Sequence, residues 1–285
     1  MFPELGRQYK FIKELGSGGT GIVNLAIDTY SGYPVAIKSL YKELNSNKEV
    51  FDKFQKEANI YLMLSHPNIV KLKDYILNED GAHLVMEFIE GKTLDQYINT
   101  VTGPMPGSIA IDILENIVGA IGYAHSRSIA IKGYNGVLHL DIKPNNILIT
   151  KENKAMVIDY GISQGTEEER ILKMGTPLYM APEQLDLNKK LDQRTDIYAL
   201  GLVIHQMLSG ENPYNGSYTT KEELDDCIMK YPLTKIKDLY PGFQNPSDYK
   251  FQEIVDKATR KNPEERHQSC KELLSNLISI KDEIC

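Results

Sequence analysis

The chain has 285 residues, 41% hydrophobic and 25% charged, with a net charge of −7. These are ordinary soluble globular proportions, and the acidic balance argues against nucleic acid as the main partner. No apolar run approaches the roughly 18 residues of a membrane helix and the start carries no secretory pattern. Cys227, Cys270 and Cys285 are widely spaced, with no C-x-x-C pair, so a reducing cytoplasmic setting is expected rather than a disulfide framework or a zinc site.

Up to about Glu90 the sequence predicts mainly strands. Tyr9–Leu15, Val23–Ala26 and Val35–Leu40 are short apolar or β-branched runs, separated by Gly/Ser/Asp clusters that suit hairpins. A helix is predicted over Phe51–Leu62, where Phe51, Phe54, Ala58, Tyr61 and Leu62 recur at three- and four-residue spacing before His66-Pro67. Strands around Val70–Leu77 and His83–Phe88 follow. Beyond Gly91 the period turns helical, over Ile109–His125, Arg194–Leu208, Lys221–Lys230, Phe251–Lys261 and Lys271–Ile280. The expectation is an α+β fold. A small antiparallel β-sheet lobe with one helix (about 1–87) joins a larger, mainly α-helical lobe (about 94–285). The connection at about 87–93 would border a cleft, a favoured place for a small ligand.

Gly16-Ser17-Gly18-Gly19-Thr20-Gly21-Ile22-Val23 matches G-x-G-x-x-G-x-V. Dinucleotide-binding folds carry a similar run, but there it opens a helix, whereas Val23–Ile27 reads as a second strand. Glycines in such a hairpin let backbone N–H groups approach phosphate oxygens without Cβ clashes. A flexible turn with no ligand is the plain alternative. Val35-Ala36-Ile37-Lys38 favours phosphate, because a lysine ending a buried strand needs an anionic partner. Glu57, on the predicted helix, is the candidate, and the pair would present Lys38 to α- and β-phosphates. Farther on, His139-Leu140-Asp141-Ile142-Lys143-Pro144-Asn145-Asn146 places three abilities in one short loop. Asp141 can accept a proton from a hydroxyl, Lys143 can neutralise a phosphate in transfer, and Asn146 can ligate Mg²⁺.

Taken in order with Asp159-Tyr160-Gly161 and Ala181-Pro182-Glu183, these motifs resemble the eukaryotic-like (Hanks-type) protein serine/threonine kinase family, its bacterial members most closely. The resemblance covers nearly the whole chain. It implies a bilobal protein-kinase fold, with residues 1–285 forming a single kinase domain. It also implies transfer of the γ-phosphate of ATP to Ser/Thr hydroxyls of protein substrates, with autophosphorylation and with Mg²⁺, or Mn²⁺, as the metal. Asp141 would be the catalytic base, Lys143 would contact the γ-phosphate, and Asn146 and Asp159 would bind the metal. ATP would be held by Gly16, Ser17, Gly18, Gly19 and Gly21, and by Lys38 with Glu57. Val23, Ala36 and Leu148 would sandwich the adenine, with Met86 behind it and Glu87 and Phe88 in the hinge. Asp196 would brace the catalytic loop, Arg266 would pair with Glu183, and Thr176 would bond near Asp141 and Lys143.

The departures from the pattern carry expectations of their own. Leu140 stands where most relatives place an arginine that gathers a phosphorylated activation loop, so dependence on loop phosphorylation is not expected. Ile162–Met174, with Ser163 and Thr166 as acceptors and acids at Glu167–Glu169, fits that expectation. Tyr160 replaces a common phenylalanine and should keep its ring packing. Ile129–Gly136 lengthens the path to the catalytic loop, as a tolerated surface turn or a docking element. Asn145 offers no acid for a basic substrate. A binding module that kept the fold without the chemistry would have lost Lys38, Asp141 or Asp159, and a small-molecule phosphotransferase would lack the Gly175–Glu183 segment; this chain has them all.

Overall fold

Alternating apolar and polar residues at the start of the chain pair into one antiparallel sheet. A computed structural model describes Leu5 and residues 8–78, 81–127, 136–160, 164–165 and 176–284, and the chain divides into two units, Met1–Glu90 and Gly91–Cys285. In the first unit, β1 (Tyr9–Ser17), β2 (Gly21–Asp28), β3 (Pro34–Leu40), β4 (Leu72–Asn78) and β5 (Gly81–Glu87) lie in the order β1-β2-β3-β5-β4. The register sets Val23 opposite Lys38, Ala36 opposite Met86 and Lys38 opposite Leu84. Alternate strand residues point to opposite faces, so Val23, Ala36, Lys38, Leu84 and Met86 share one face. The other face buries Ala26, Val35, Ile37 and Val85 with Tyr9. Helix α1 (Lys48–Met63) is capped by Asn47, whose Oδ1 accepts from the Val50 N–H at 3.3 Å. It packs on the first face, where its Phe54 and Ala58 meet Leu40, Ala82 and Leu84.

The second unit holds the helices α2 (Leu94–Tyr97), α3 (Gly107–Ser126), α4 (Pro182–Leu185), α5 (Gln193–Ser209), α6 (Lys221–Lys230), α7 (Ile236–Leu239), α8 (Pro246–Ala258) and α9 (Cys270–Ile284). Its core is built on α3 and α5. Ile111, Ile113, Leu114, Ile117 and Val118 of α3 are wholly buried, and α5 is buried from Thr195 to Ser209. A helix apolar on all sides belongs in a core. By length and composition α3 could also cross a membrane, but half of its apolar window is buried within the unit, against α9 and α5 among others.

Short strands absent from the sequence reading complete the unit. β6 (Gly91–Thr93), β8 (Ile147–Thr150) and β9 (Ala155–Val157) form one sheet, and β7 (Val137–Leu138) pairs with β10 (Gln164–Gly165). Runs of two to four residues are too brief for a period-two pattern to register. The helix expected over Phe251–Lys261 lies earlier, at Pro246–Ala258. Pro246 sits in its first turn, where its missing N–H costs nothing, and the Asn245 N–H is met by Asp248 Oδ2 at 2.8 Å. At the other end the carbonyls of Arg260 and Lys261 are taken by the Arg266 guanidinium. Of the expected turn at Ile129–Gly136, all but Gly136 lies outside the described residues, as do Gly161, Ser163, Thr166, Glu167–Glu169 and Gly175.

Arg266 is the tie that closes this unit. It is 1% exposed, and its Nη1 and Nη2 donate to Glu183 Oε1 and Oε2 at 2.7 and 2.8 Å. Its remaining N–H groups donate to the carbonyls of Arg260, Arg194 and Lys261. All five guanidinium donors are therefore met, and the guanidinium carbon lies 4.9 Å from the Tyr198 ring centroid. Thr195 Oγ1 adds a bond to Glu183 Oε1 at 2.9 Å. Replacing Arg266 by Met strands a buried carboxylate and should cost about 3–5 kcal/mol, read as a fall in the urea midpoint. The exposed Lys230–Asp226 pair should show no resolvable change when Lys230 is replaced by Met.

Candidate functional site

Nothing in the packing explains three of the glycines in the turn between β1 and β2. A Cβ built on Gly16, Gly18 or Gly19 would meet no atom of the described residues within 4 Å, and none of the three has a positive φ. The space above this turn is open to a ligand, with no Cβ between it and the backbone N–H groups. Gly21 differs, since a Cβ there would stand 2.2 Å from the Ser39 carbonyl oxygen. Ser17 ends β1, and the turn is closed by the Gly18 N–H donating to the Gly21 carbonyl at 2.9 Å.

On the face that carries α1, the Lys38 ammonium donates to both oxygens of Glu57, at 2.8 and 2.9 Å. The lysine side chain is 18% exposed and the glutamate 3%. Burying such a pair returns little net stability; what it does is fix a cation on the sheet face shared by Val23, Ala36 and Met86. Val23 and Ala36 are half-buried and Met86 is buried. At the end of β5, Glu87 spends its N–H on the Lys71 carbonyl and its carboxylate on the Lys71 N–H, at 3.0 and 2.8 Å. Phe88 follows, half-buried.

In the second unit, Asp141 gathers four donors. Its Oδ1 accepts from the Thr176 N–H (2.8 Å) and hydroxyl (2.6 Å), and its Oδ2 from Lys143 Nζ (2.8 Å) and Asn146 Nδ2 (3.0 Å). Lys143 Nζ also donates to Thr176 Oγ1 at 2.5 Å. The Asn146 amide nitrogen is further committed to the Asp141 carbonyl at 2.9 Å, which leaves its Oδ1 as the atom for a hard cation. The β8–β9 hairpin pairs Ile147 with Val157, and one step beyond that pair the Ile158 N–H donates to the Asn146 carbonyl at 3.1 Å. This brings the backbone of Asp159 beside that of Asn146. Among the described residues no cluster of three His, Cys, Asp or Glu side chains could hold a metal unaided. A carboxylate and an amide with room for phosphate oxygens suit Mg²⁺, which binds through few protein ligands. Leu148, on β8, is half-buried opposite Met156.

The loop is held from beneath by Asp196, wholly buried in α5. Its carboxylate accepts from the backbone N–H of His139 and of Leu140, each at 2.8 Å, and from His125 Nε2 at 2.7 Å. Burial alone would raise its pKa, but the hydrogen bond and charge of His125, with those of His139, hold it below the usual carboxylate value. The His139 ring packs on Tyr160, with centroids 4.6 Å apart. Leu140 has a φ of 65°, a left-handed backbone that a leucine rarely adopts. Three contacts impose it: its N–H on Asp196, its carbonyl accepting from Gln184 Nε2 at 3.0 Å, and its side chain buried with Leu138 and Leu191. His125, Gln184 and Leu191 were not anticipated from the sequence, since each acts on residues distant in the chain. For His125 the signal was its position at the end of an apolar helix, where a polar ring must find a partner.

A family model described as a protein kinase domain matches residues 9–277. The chain is 33% identical over 282 residues to a probable serine/threonine-protein kinase of Clostridium perfringens, covering 97% of this chain and 39% of that protein. It is 33% identical over 280 residues to the serine/threonine-protein kinase PrkC of Bacillus subtilis, covering 96% and 41%. With the serine/threonine-protein kinase PknB of Mycobacterium leprae it shares 31% over 288 residues, covering 98% and 44%. The chain thus spans less than half the length of these relatives.

The strained leucine gives a test of the loop's construction. Leu140→Ala removes the buried side chain and should cost about 2–5 kcal/mol. Leu140→Gly loses the same contacts but relieves the left-handed backbone, so it should be more stable than the alanine variant by roughly 1–2 kcal/mol. Urea unfolding of the two variants checks the order, which is the reverse of that in a helix.

Proposed function

The chain belongs to the protein kinase family, and on that footing we propose that it transfers the γ-phosphate of ATP to serine and threonine hydroxyls of proteins, itself included. The observation that carries the reading is the Asp141–Lys143–Asn146–Thr176 cluster, a carboxylate with a cation and an amide fixed on it at 2.8 and 3.0 Å. Asp141 orients the substrate hydroxyl and accepts its proton. Lys143, already at that carboxylate, meets the negative charge of the phosphoryl group in transfer. Asn146 and Asp159 hold Mg²⁺, or Mn²⁺, which when bound neutralises phosphate charge.

The nucleotide is assigned to groups of the first unit. The turn of Gly16, Ser17, Gly18, Gly19 and Gly21 covers the phosphates, and Lys38, steadied by Glu57, pairs with the α- and β-phosphates. Val23 and Ala36 contact the adenine, with Met86 behind it. Its edge is read by the backbone of Glu87 and Phe88. The Glu87 N–H is already bonded to Lys71, so its carbonyl is the group that serves. The described cysteines, Cys227 and Cys270, are both free and buried, in keeping with action in a reducing cytoplasm.

Leu140 shapes the regulation. In place of an arginine that waits for a phosphate, the loop has a leucine packed against Leu138 and Leu191, so its geometry is built without a phosphorylated partner.

The experiment is transfer of labelled γ-phosphate from ATP, with Mg²⁺, to the protein itself and to casein. Asp141→Asn should lower transfer by about 10²–10⁴-fold while ATP binding persists, and wild-type transfer in that variant would contradict the assignment. Phosphatase-treated and autophosphorylated protein should transfer at the same rate. A large activation by phosphorylation would contradict the role given to Leu140.

A further inference from the structure

Helices α3 and α9 approach closely at Gly122, where a built Cβ would stand 3.0 Å from the Cβ of Cys270. Beside this crossing is a cavity of about 370 Å³ that opens at the surface. Gly119, whose own Cβ position is empty space, and Gly122 lie along it, with Val118 and Leu274 giving it a mainly apolar lining. His125 and Cys270 are in its wall.

Three side chains stand in line there. Cys270 Sγ is 3.6 Å from His125 Nδ1, and His125 Nε2 is 2.7 Å from Asp196 Oδ2. Asp196 is the acceptor for two backbone amides, so it is also the acceptor for Nε2–H, and Nδ1 is the nitrogen that faces sulfur. A nucleophile, a base within reach of its proton and a carboxylate orienting that base form the arrangement that activates a side chain for attack. Burial works against a charged His125 ring, but Cys270 and Asp196 outweigh it and raise the ring's pKa to about 10. Cys227 supplies the contrast within the same unit: it too is buried, but its Sγ donates to the Ser217 carbonyl at 3.4 Å.

We propose that Cys270 is a peroxide-reactive thiol which takes small organic hydroperoxides from the cavity, and that its oxidation is passed through His125 and Asp196 to the catalytic loop. Sγ attacks the terminal peroxide oxygen, an S–O bond forms and the O–O bond breaks. The thiol proton moves to His125 Nδ1 and from there to the departing alkoxide. Thiol and hydroperoxide become sulfenic acid and alcohol, the sulfur oxidised by two electrons and the peroxide reduced by two. Oxidation replaces the thiol proton that faces His125 Nδ1 at 3.6 Å by a bulkier S–OH group on the same sulfur. The ring is displaced from Asp196, and Asp196 is what fixes the N–H groups of His139 and Leu140 next to Asp141. The effect on catalysis rests on the kinase reading; the reaction at sulfur and the loosening of the loop do not.

The test treats the full chain with tert-butyl hydroperoxide and traps sulfenic acid with dimedone, with peptide mass mapping to locate the adduct. Amide hydrogen exchange over residues 138–142 and phosphate transfer are followed on the same samples. Cys270 should react about tenfold or more faster than Cys227. Exchange over the loop should speed up and transfer should fall, both reversed by a thiol reductant. Cys270→Ala should abolish all three responses. Gly119→Leu, which fills the cavity and leaves Cys270, His125 and Asp196 in place, should slow the reaction at Cys270. Equal labelling of Cys270 and Cys227, or selective labelling with no change in loop exchange, would overturn the proposal. A protein that transfers no phosphate at all would still be decided by the labelling and exchange readouts.

Discussion

One buried carboxylate organises the chemistry of the second unit. Asp196 is wholly shielded from water, and an ion in that position is tolerable only if its oxygens are met by donors. The donors it finds are the His125 ring and two consecutive amides, His139 and Leu140. The requirement that the charge be satisfied thus becomes a constraint on the backbone immediately before Asp141. It is strong enough, with Gln184 and the Leu138–Leu191 contact, to hold Leu140 left-handed. Strain of that kind persists only where the surroundings over-determine it, and it tends to gather at functional sites.

The same logic recurs at Glu183 and Arg266. There too a carboxylate out of reach of water is met by a full set of donors, and the guanidinium reaches two separate segments, at Arg194 and at Arg260–Lys261. Pairs of this kind add little net stability compared with apolar packing, yet breaking one is expensive. They specify one arrangement of loops that have no repetitive hydrogen bonding of their own. In the first unit, Lys38 and Glu57 do this for a single cation on a sheet face. Leucine at position 140 then takes on added meaning. Leucine closes the loop onto Leu138 and Leu191 by burial.

Much of this arrangement was legible in the sequence where its residues lie close together in the chain. The glycine turn, Lys38 with its helix partner Glu57, and the Asp141–Asn146 loop all lie in contiguous segments or on elements with a clear period. What was not legible depends on contacts distant in the chain. The sequence names a leucine at 140 but not its backbone angle, which is set by Asp196 and Gln184. It shows an apolar helix ending in His125 but not the carboxylate 71 positions later. The frame of α8 was misread because its C-terminal limit is fixed by a guanidinium beyond the helix, and β6 to β10 were missed because two to four residues carry no periodic signal.

Within the proposed kinase activity, Asp196 positions the transfer groups and not the nucleotide. The direct measurement is to compare ATP affinity, by titration calorimetry, with the phosphate-transfer rate in Asp196→Asn, in which an amide N–H replaces one acceptor and faces a backbone donor. Transfer should fall by about 10²-fold, the scale of a catalytic group displaced by roughly an ångström, with ATP affinity close to that of the unaltered protein. Transfer at the unaltered rate, or ATP affinity lost in step with it, would contradict the account.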